Sequence, residues 1–410
     1  MIPLVMLAVM AGCAAFLFLK GTLVQGVTMI FNAILAGFVA FGFFEILARL
    51  LVKYSPGVAV WAPLICFVLL LILVFAVLQT AAVQLLKGKT DLGELPEQIG
   101  RPLCGLVLGY LVTGYALVAA AMAPMPNQYP YPRFDTRNPN PSRPATPMLS
   151  PDGFVTGLFA TVSRGSFSTL GSPKSFAVLH AGYVDQLYLN RRKAMEKVPL
   201  MTTMTTVAVP NKGGVRQAPD SLRDSDGKSI SISSGETLML VRVELQSKGL
   251  RDAGKFTLSQ FRLVCGLRSG GKASLAGQGQ AVYPLGYIGD KGRLERKPLD
   301  EIITAQSASG APVNMDVAFA VPGGLTPLLL EFKRNDVVQL PAPASREEAL
   351  EVVPFGESQA APSPQTPAPE SAPGTPPPPS RDKSGKKSKS GRDRTKERVE
   401  GLSGAPLDQN

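Results

Sequence analysis

The sequence predicts an α-helical membrane domain of four transmembrane helices, followed by a soluble β-sandwich of immunoglobulin-like type and a disordered tail. Three observations lead to this prediction. Four long runs without a charged residue occupy residues 1–125, apolar and polar side chains alternate through residues 199–340, and residues 341–410 are rich in Pro, Ala and Ser. A Pro-rich spacer, residues 126–150, and a short helical segment, residues 151–198, connect the first two regions.

Each of the four charge-free runs is about long enough to cross a bilayer. They cover residues 1–19, 22–44, 60–86 and 102–125. A spanning helix needs roughly 20 apolar residues, and a bilayer interior without water forces the backbone to satisfy its own hydrogen bonds as a helix. Four buried helices of a soluble domain would need a polar face, which these runs lack. We therefore expect all four to span.

A few polar residues in or beside these runs are candidate functional positions. Glu45 precedes Arg49 by four residues, so the two share a helix face and can pair at the membrane interface. The alternative is a polar path through an oligomeric transporter or channel component, lined by Asn32, Glu45 and Gln79. Gly105 and Gly109 form a GxxxG pair, which lets two helices approach closely in lipid.

Residues 151–198 carry helical periodicity. Ser150-Pro151-Asp152 has the chemistry of a helix start, and Phe154 opens a stripe with four-residue spacing. A second stripe runs from Phe176 to Leu187 and is predicted to form another helix, opened by Ser172-Pro173. His180 lies beside that stripe, and we interpret it as a packing or surface residue.

Residues 199–340 alternate with the period of a strand. Val241, Val243 and Leu245 lie on one face, and Gly-rich turns separate several such stretches. The stretch 266–272 matches GxxxxGK, but Ala273 replaces the Ser or Thr that would hold magnesium, and no helix pattern follows. We interpret it as a turn.

The sequence predicts no catalytic, cofactor-binding or metal-binding residue and no enzyme activity. His180 is the only histidine, which excludes His-rich zinc sites. Three of the four cysteines, Cys13, Cys66 and Cys104, lie in the apolar runs, so Cys265 has no partner for a disulfide within the polar half.

Much of the net charge of +11 belongs to the tail. Nine Lys and Arg and three Asp and Glu fall within residues 381–398. Such a run can bind anionic lipid or an acidic polymer of the cell envelope, and the alternative is a solvated tail without a partner. Nucleic acid is a less favoured partner. The tail has too few apolar residues to fold.

The first 125 residues resemble the CvpA family, the colicin V production proteins, which are small bacterial inner-membrane proteins with four predicted spans. The matching features are the Lys20-Gly21 break after the first run and a polar approach with Gly100 that leads into Gly105 and Gly109. The resemblance implies a role in toxin production or export and in envelope maintenance.

Two weaker resemblances cover later regions. The stretch 154–192, with Ser163-Arg164-Gly165-Ser166 and Asn190-Arg191-Arg192, is similar to the extension of planctomycete-type CvpA-like proteins. The β region is similar in strand spacing to immunoglobulin-like domains of DUF4352 type.

We therefore expect a non-enzymatic, multi-pass protein of the bacterial inner membrane, whose partners are the lipid bilayer and either other membrane proteins or further copies of itself. The basic residues of the connecting loops do not decide its orientation. A large C-terminal region can cross the membrane regardless of its charge, so we expect the β domain in the periplasm. There we expect it to bind a ligand.

Overall fold

A computed structural model describes residues 2–85, 93–135, 139–164, 175–191, 198–200, 202, 205–246, 254–269, 272–273, 277–305 and 311–356. These residues form one compact unit. Residues 357–410 lie outside the described residues, so the structure does not test their predicted disorder or the predicted partners of the basic run. Ser172 and Pro173, where we predicted the start of a helix, also lie outside the described residues.

Four long helices open the chain, as predicted, and each is long and apolar enough to cross a membrane. They are α1 (Ile2–Lys20), α2 (Leu23–Tyr54), α3 (Ala62–Leu85) and α4 (Glu94–Met122). Two of them exceed the charge-free runs. Helix α2 continues for ten residues past Phe44, and α4 begins eight residues before Pro102, with Glu94 and Glu97 in its first turn. Acidic groups there are favoured by the positive end of the helix dipole.

The four helices alternate in direction, and glycines set their spacing. A Cβ on Gly109 would lie 2.6 Å from the Cα of Met10, and one on Gly105 would overlap the backbone of Ala14. Helices α1 and α4 are therefore antiparallel and almost in backbone contact, as GxxxG pairs permit. Helix α2 runs parallel to α4, since Leu23 lies beside Gly100 and Tyr115 Oη donates to Ala33 O at 3.2 Å.

Three shorter helices follow: α5 (Pro151–Ser163), α6 (Phe176–Leu179) and α7 (Tyr183–Arg191). The prediction of one continuous helix from Phe176 to Leu187 is wrong, because the chain turns at residues 180–182. Gly182 has a φ of +64°, a left-handed conformation that glycine adopts without strain. The break separates α6, which contacts α2 through Phe176 and Phe41, from α7, which contacts α4 through Arg191 and Ala120.

The following region is β-rich, and every pair of adjacent strands is antiparallel. The strands are β1 (Val207–Ala208), β2 (Val215–Gln217), β3 (Glu236–Leu245), β4 (Lys255–Thr257), β5 (Phe261–Gly266), β6 (Arg268–Ser269), β7 (Lys272–Ala273), β8 (Gln280–Val282), β9 (Pro284–Ile288), β10 (Leu294–Glu295), β11 (Ile302–Thr304), β12 (Val313–Pro322), β13 (Thr326–Phe332) and β14 (Asp336–Gln339).

Two sheets contain most of these strands. One has the order β1-β3-β12-β9-β10 with β2 also on β3, and the other has the order β14-β13-β5-β8. In the first, Val241 pairs with Val317 and Val243 with Met315. These side chains share one buried cluster with Leu263 of the other sheet, so the predicted alternation corresponds to one face turned to the core. Near the end of the GxxxxGK stretch, Ser269 of β6 pairs with Lys272 of β7.

The β region extends beyond Leu340, where we predicted that folding ends. Residues 341–356 run along the first sheet: Ala344 N donates to Val215 O at 2.8 Å, Phe355 N donates to Ile288 O at 2.9 Å, and Val353 is buried. The boundary at Leu340 is therefore wrong, and the folded chain continues to Gly356, the last residue that the structure describes. Backbone hydrogen bonds rather than apolar periodicity fix this segment, so the sequence pattern does not reveal it.

Candidate functional site at the membrane junction

The junction is the contact between the ends of α2 and α4 and the layer formed by α5, α6, α7 and the β13–β14 turn. Its apolar part is a cluster of aromatic rings. Phe41 of α2 stacks on Phe159 at 5.3 Å between centroids, Phe159 meets Phe176 at 4.7 Å, and Phe176 meets Tyr183 at 5.2 Å. Such ring pairs each contribute about 0.5–1.5 kcal/mol beyond the burial of their area.

A buried polar group lies beside these rings. Arg133 Nε donates to Asp185 Oδ1 at 2.5 Å and its Nη1 donates to Tyr131 Oη at 2.8 Å, while Asp152 Oδ2 lies 3.6 Å from Nη1 and accepts from Tyr131. Burial raises the pKa of Asp185, and the Arg133 guanidinium opposes that rise. One arginine thus contacts two carboxylates, one contributed by α5 and one by α7.

Arg191, at the end of α7, holds the end of α4. Its guanidinium donates to Ala120 O at 3.0 Å and to Tyr129 O, and it lies 4.1 Å over the Tyr188 ring. The last carbonyls of a helix lack partners within the helix and carry partial negative charge, so a cation there is favourable. Arg191 therefore links α7 directly to the fourth long helix.

Arg262 of β5 joins the second sheet to the short helices. It donates to Ala181 O at 2.7 Å and to Leu179 O at 2.6 Å, and it pairs with Glu331 of β13. Gln186 of α7 also donates to Glu331. The β region is thus attached to α6 and α7 by buried hydrogen bonds, and these helices are attached to α2 and α4.

Glu45 extends these contacts to α2. The predicted pair with Arg49 is present at 3.5 Å, and His180 Nε2 lies at 3.1 Å from Glu45 Oε1. His180 also packs between the rings of Phe176 and Tyr183, at 4.8 and 5.1 Å. Sequence reasoning missed the Glu45–His180 contact because 135 residues separate the two, and no local pattern reports such a pair.

The structure does not bring the predicted path residues together. Asn32 Nδ2 donates to Gln79 Oε1 at 3.0 Å, which joins α2 to α3. Glu45 lies 13 residues further along α2, about 20 Å away at 1.5 Å per residue. These polar groups therefore form two separate contacts.

The Lys20-Gly21 break and Gly100 lie at the opposite end of the long helices. Gly21 lies against Leu17, and Gly100 against Leu23. Glu97, which the sequence placed in a loop, accepts from Leu23 N at 3.1 Å and pairs with Arg101. The four-residue spacing of Glu97 and Arg101 is the signal that would have indicated a helix there.

A cavity of about 200 Å³ opens at the junction between α5, α6 and the chain before β8. Its polar lining includes Arg133, Thr156, Arg164, His180 and Asp185. A Cβ on Gly157 would meet no atom within 4 Å. The cavity has room for a small polar molecule, and among the described residues no group of three His, Cys, Asp or Glu side chains is placed to hold a metal ion.

A second charged cluster lies inside the β region. Asp316 of β12 accepts from Arg242 Nε at 2.5 Å, from Arg216 Nη2 at 2.6 Å and from Val353 N at 3.0 Å. All three charged side chains are buried. The cluster ties the segment after β14 to three strands of the first sheet.

Lys333, in the β13–β14 turn, is fully buried with a left-handed φ of 58°. Its Nζ has no hydrogen-bond partner within the described part of the chain and lies 5.2 Å over the Phe332 ring. Burial lowers the pKa of Lys333 to about 8. The ammonium therefore costs stability at neutral pH.

Comparisons of this chain with protein-family models, with curated proteins and with solved structures found no match.

Proposed function

We propose that this chain is a non-enzymatic, multi-pass protein of the bacterial inner membrane, similar to the CvpA family, that presents a binding domain at a fixed position over the bilayer. The role that the CvpA resemblance implies, in colicin V-type toxin production or export and in envelope maintenance, is part of the proposal. The observation that supports it best is the buried, charged junction between the long helices and the β region.

A flexible tether would be enough to anchor a domain to a membrane. The junction instead buries Arg133, Asp152 and Arg191, with Asp185 partly buried, and each buried charge loses several kcal/mol of hydration before its partners compensate. Buried charged networks are geometrically demanding, so they favour one arrangement of the parts they join. We infer that the orientation of the β domain relative to the membrane matters for function.

The β region is interpreted as an immunoglobulin-like β-sandwich. Two antiparallel sheets with one shared core support this interpretation, and such sandwiches serve widely as binding modules. We place it in the periplasm, with the bilayer, other membrane proteins or further copies as partners. The transport alternative receives less support, because Asn32 and Gln79 bind each other and Glu45 binds His180.

Complementation tests this function. In a bacterium that lacks its own CvpA-family protein, we expect the full chain to restore secretion of a colicin V-type toxin and resistance of the envelope to detergent. The Arg133→Met variant should restore neither toxin secretion nor detergent resistance, because the substitution opens the junction. Immunoblotting of membranes should find this variant at the same level as the unaltered chain. The control is Arg143→Met, which changes an exposed arginine of the spacer.

Two results would refute the proposal. If the full chain is present in the membrane but restores neither toxin secretion nor detergent resistance, the CvpA-like role is refuted. Full restoration by Arg133→Met would remove the requirement for a fixed orientation.

A further inference from the structure

The contact between α1 and α4 indicates which residues of α4 lie within the bilayer. Met10 faces Gly109 and Ala14 faces Gly105, so α1 lies beside roughly residues 99–117 of α4. Helix α1 has 19 residues, which at 1.5 Å each is about 28 Å, close to the roughly 30 Å of the hydrocarbon core. Because α1 crosses the bilayer, roughly residues 99–117 of α4, which lie beside it, are also inside the membrane.

The start of α5 contacts α4 within that depth. The carbonyl oxygen of Pro151 lies 2.5 Å from the position of a Cβ on Gly114. Tyr110 Oη donates to Leu149 O at 2.8 Å, and the rings of Tyr110 and Phe154 lie 5.3 Å apart. Gly114 and Tyr110 lie about 12 and 18 Å along the helix from Met122, where α4 ends.

The side chains of this segment are arranged as lipid requires. Leu149 is 63% exposed, Phe154 48% and Met148 43%. Asp152 and Thr156 instead face the protein and are buried. The buried side of α5 also carries Val155 and Phe159, so both sides of the helix present apolar side chains, and the polar ones face the protein. This arrangement is typical of a helix that faces the bilayer.

The backbone ahead of α5 is irregular but has protein partners. Leu149 and Ser150 both have positive φ, at 61° and 42°. Ser150 N donates to Pro147 O at 3.0 Å, and Leu149 O accepts from Tyr110. Irregular backbone is tolerated at membrane depth where neighbouring protein groups satisfy it.

From these observations we propose that residues 148–160 re-enter the bilayer beside α4, and that the patch of Met148, Leu149 and Phe154 contacts lipid acyl chains. On α4, Val107 and Val112 lie close in sequence to Tyr110, which contacts Leu149 and Phe154, and both valines are also exposed. The membrane domain then consists of four spans and one re-entrant helix, and the junction cavity lies next to the lipid.

Tryptophan fluorescence in vesicles of the full chain tests this. Trp61 is the only tryptophan, so Phe154→Trp in a Trp61→Phe background gives a single reporter. Ile72→Trp, on the exposed face of α3, is the lipid control, and Asp226→Trp, on an exposed loop of the β region, is the aqueous control. Each reporter is quenched separately by lipids brominated on the acyl chain and by iodide in the water.

We expect brominated lipid to quench the Phe154→Trp reporter to within a factor of about two of the Ile72→Trp reporter, with little quenching by iodide. Quenching by iodide as strong as at Asp226→Trp would overturn the proposal. Protection from both quenchers would also overturn it, because a second copy or another protein would then cover the patch.

A second readout does not depend on an aromatic substitution. In a background without the four native cysteines, Leu149→Cys should resist a membrane-impermeant maleimide, whereas Asp226→Cys should react fully. Equal labelling of the two in sealed vesicles that expose the β region would exclude re-entry.

Discussion

Replacing Arg133 with methionine should open the junction while leaving the two regions that it joins folded. The substitution keeps most of the apolar stem and removes a positive charge that contacts both Asp152 and Asp185. Asp152 is 1% exposed and Asp185 22%, so Asp152 cannot recover its hydration without movement and Asp185 can recover only part of it. Removing one partner of a buried pair costs about 3–5 kcal/mol, which corresponds to a factor of about 2 × 10² to 5 × 10³ in an opening equilibrium.

Hydrogen exchange measured by mass spectrometry in lipid nanodiscs gives the opening equilibrium directly. Peptides from α5 and α7 should exchange about 2 × 10² to 5 × 10³ times faster in Arg133→Met, whereas peptides from β3 and β12 should exchange at the unaltered rate. The exposed Arg143→Met serves as the control and should change neither. Unaltered exchange in α5 and α7 of the Arg133→Met protein would refute the assignment of Arg133 to the junction.

The effect of Arg133→Met should also depend on pH in a known direction. Burial already raises the pKa of Asp185 above its ordinary value, and loss of the guanidinium raises it further. A carboxyl whose folded-state pKa is raised destabilises the fold when ionised, so this cost disappears below the unfolded-state pKa and grows as pH rises through the folded-state pKa. The difference between variant and unaltered chain should therefore shrink as pH falls towards about 4. A difference that stays constant would contradict the mechanism.

Three further substitutions should change stability in defined ways, measured by denaturant unfolding of the full chain in detergent micelles. Asp316→Asn leaves two buried arginines without a carboxylate and should destabilise the β region by about 3–5 kcal/mol. Gly109→Leu pushes α1 away from α4 at Met10 and should cost about 1–3 kcal/mol. Lys333→Met removes a buried ammonium whose pKa is about 8 and should stabilise the β region at pH 7 by roughly 2–4 kcal/mol.

Each of these substitutions has a matched control. Asp220→Asn breaks an exposed pair with Arg346 and should change stability by less than about 0.5 kcal/mol. Gly12→Ala adds a Cβ that meets no atom within 4 Å and should be neutral. The gain from Lys333→Met should decline as pH rises from about 8 towards 10.5, where the unfolded chain also loses the proton. Equal effects of a substitution and its control, or a gain independent of pH, would contradict these assignments.

Composition alone was sufficient to predict the four long helices, because the bilayer requirement is strong and local. The ends were predicted less well. Residues 45–54 and 94–101 carry charges that interrupt an apolar run without interrupting a helix, and α2 and α4 therefore continue through them. The alternation of Val241 and Val243 likewise located β3, although the structure buries Arg242 on the opposite face as well.

Sequence patterns do not predict the contacts of the junction. Arg133 and Asp185 are 52 residues apart, and Arg191 and Ala120 are 71 apart. Each has an ordinary local setting, so only the fold brings them together. Gly182 was visible in the sequence, but its role in breaking the helix depends on the left-handed conformation that the junction imposes.

Distance measurement between spin labels tests most directly whether the β domain is held at a fixed position over the membrane. The labels replace Lys53, at the exposed end of α2, and Asp226, on the β region, in a background without native cysteines and in lipid nanodiscs. We predict a single narrow distance distribution that broadens when Arg133→Met is added. A broad distribution in the chain with intact Arg133 would contradict the account.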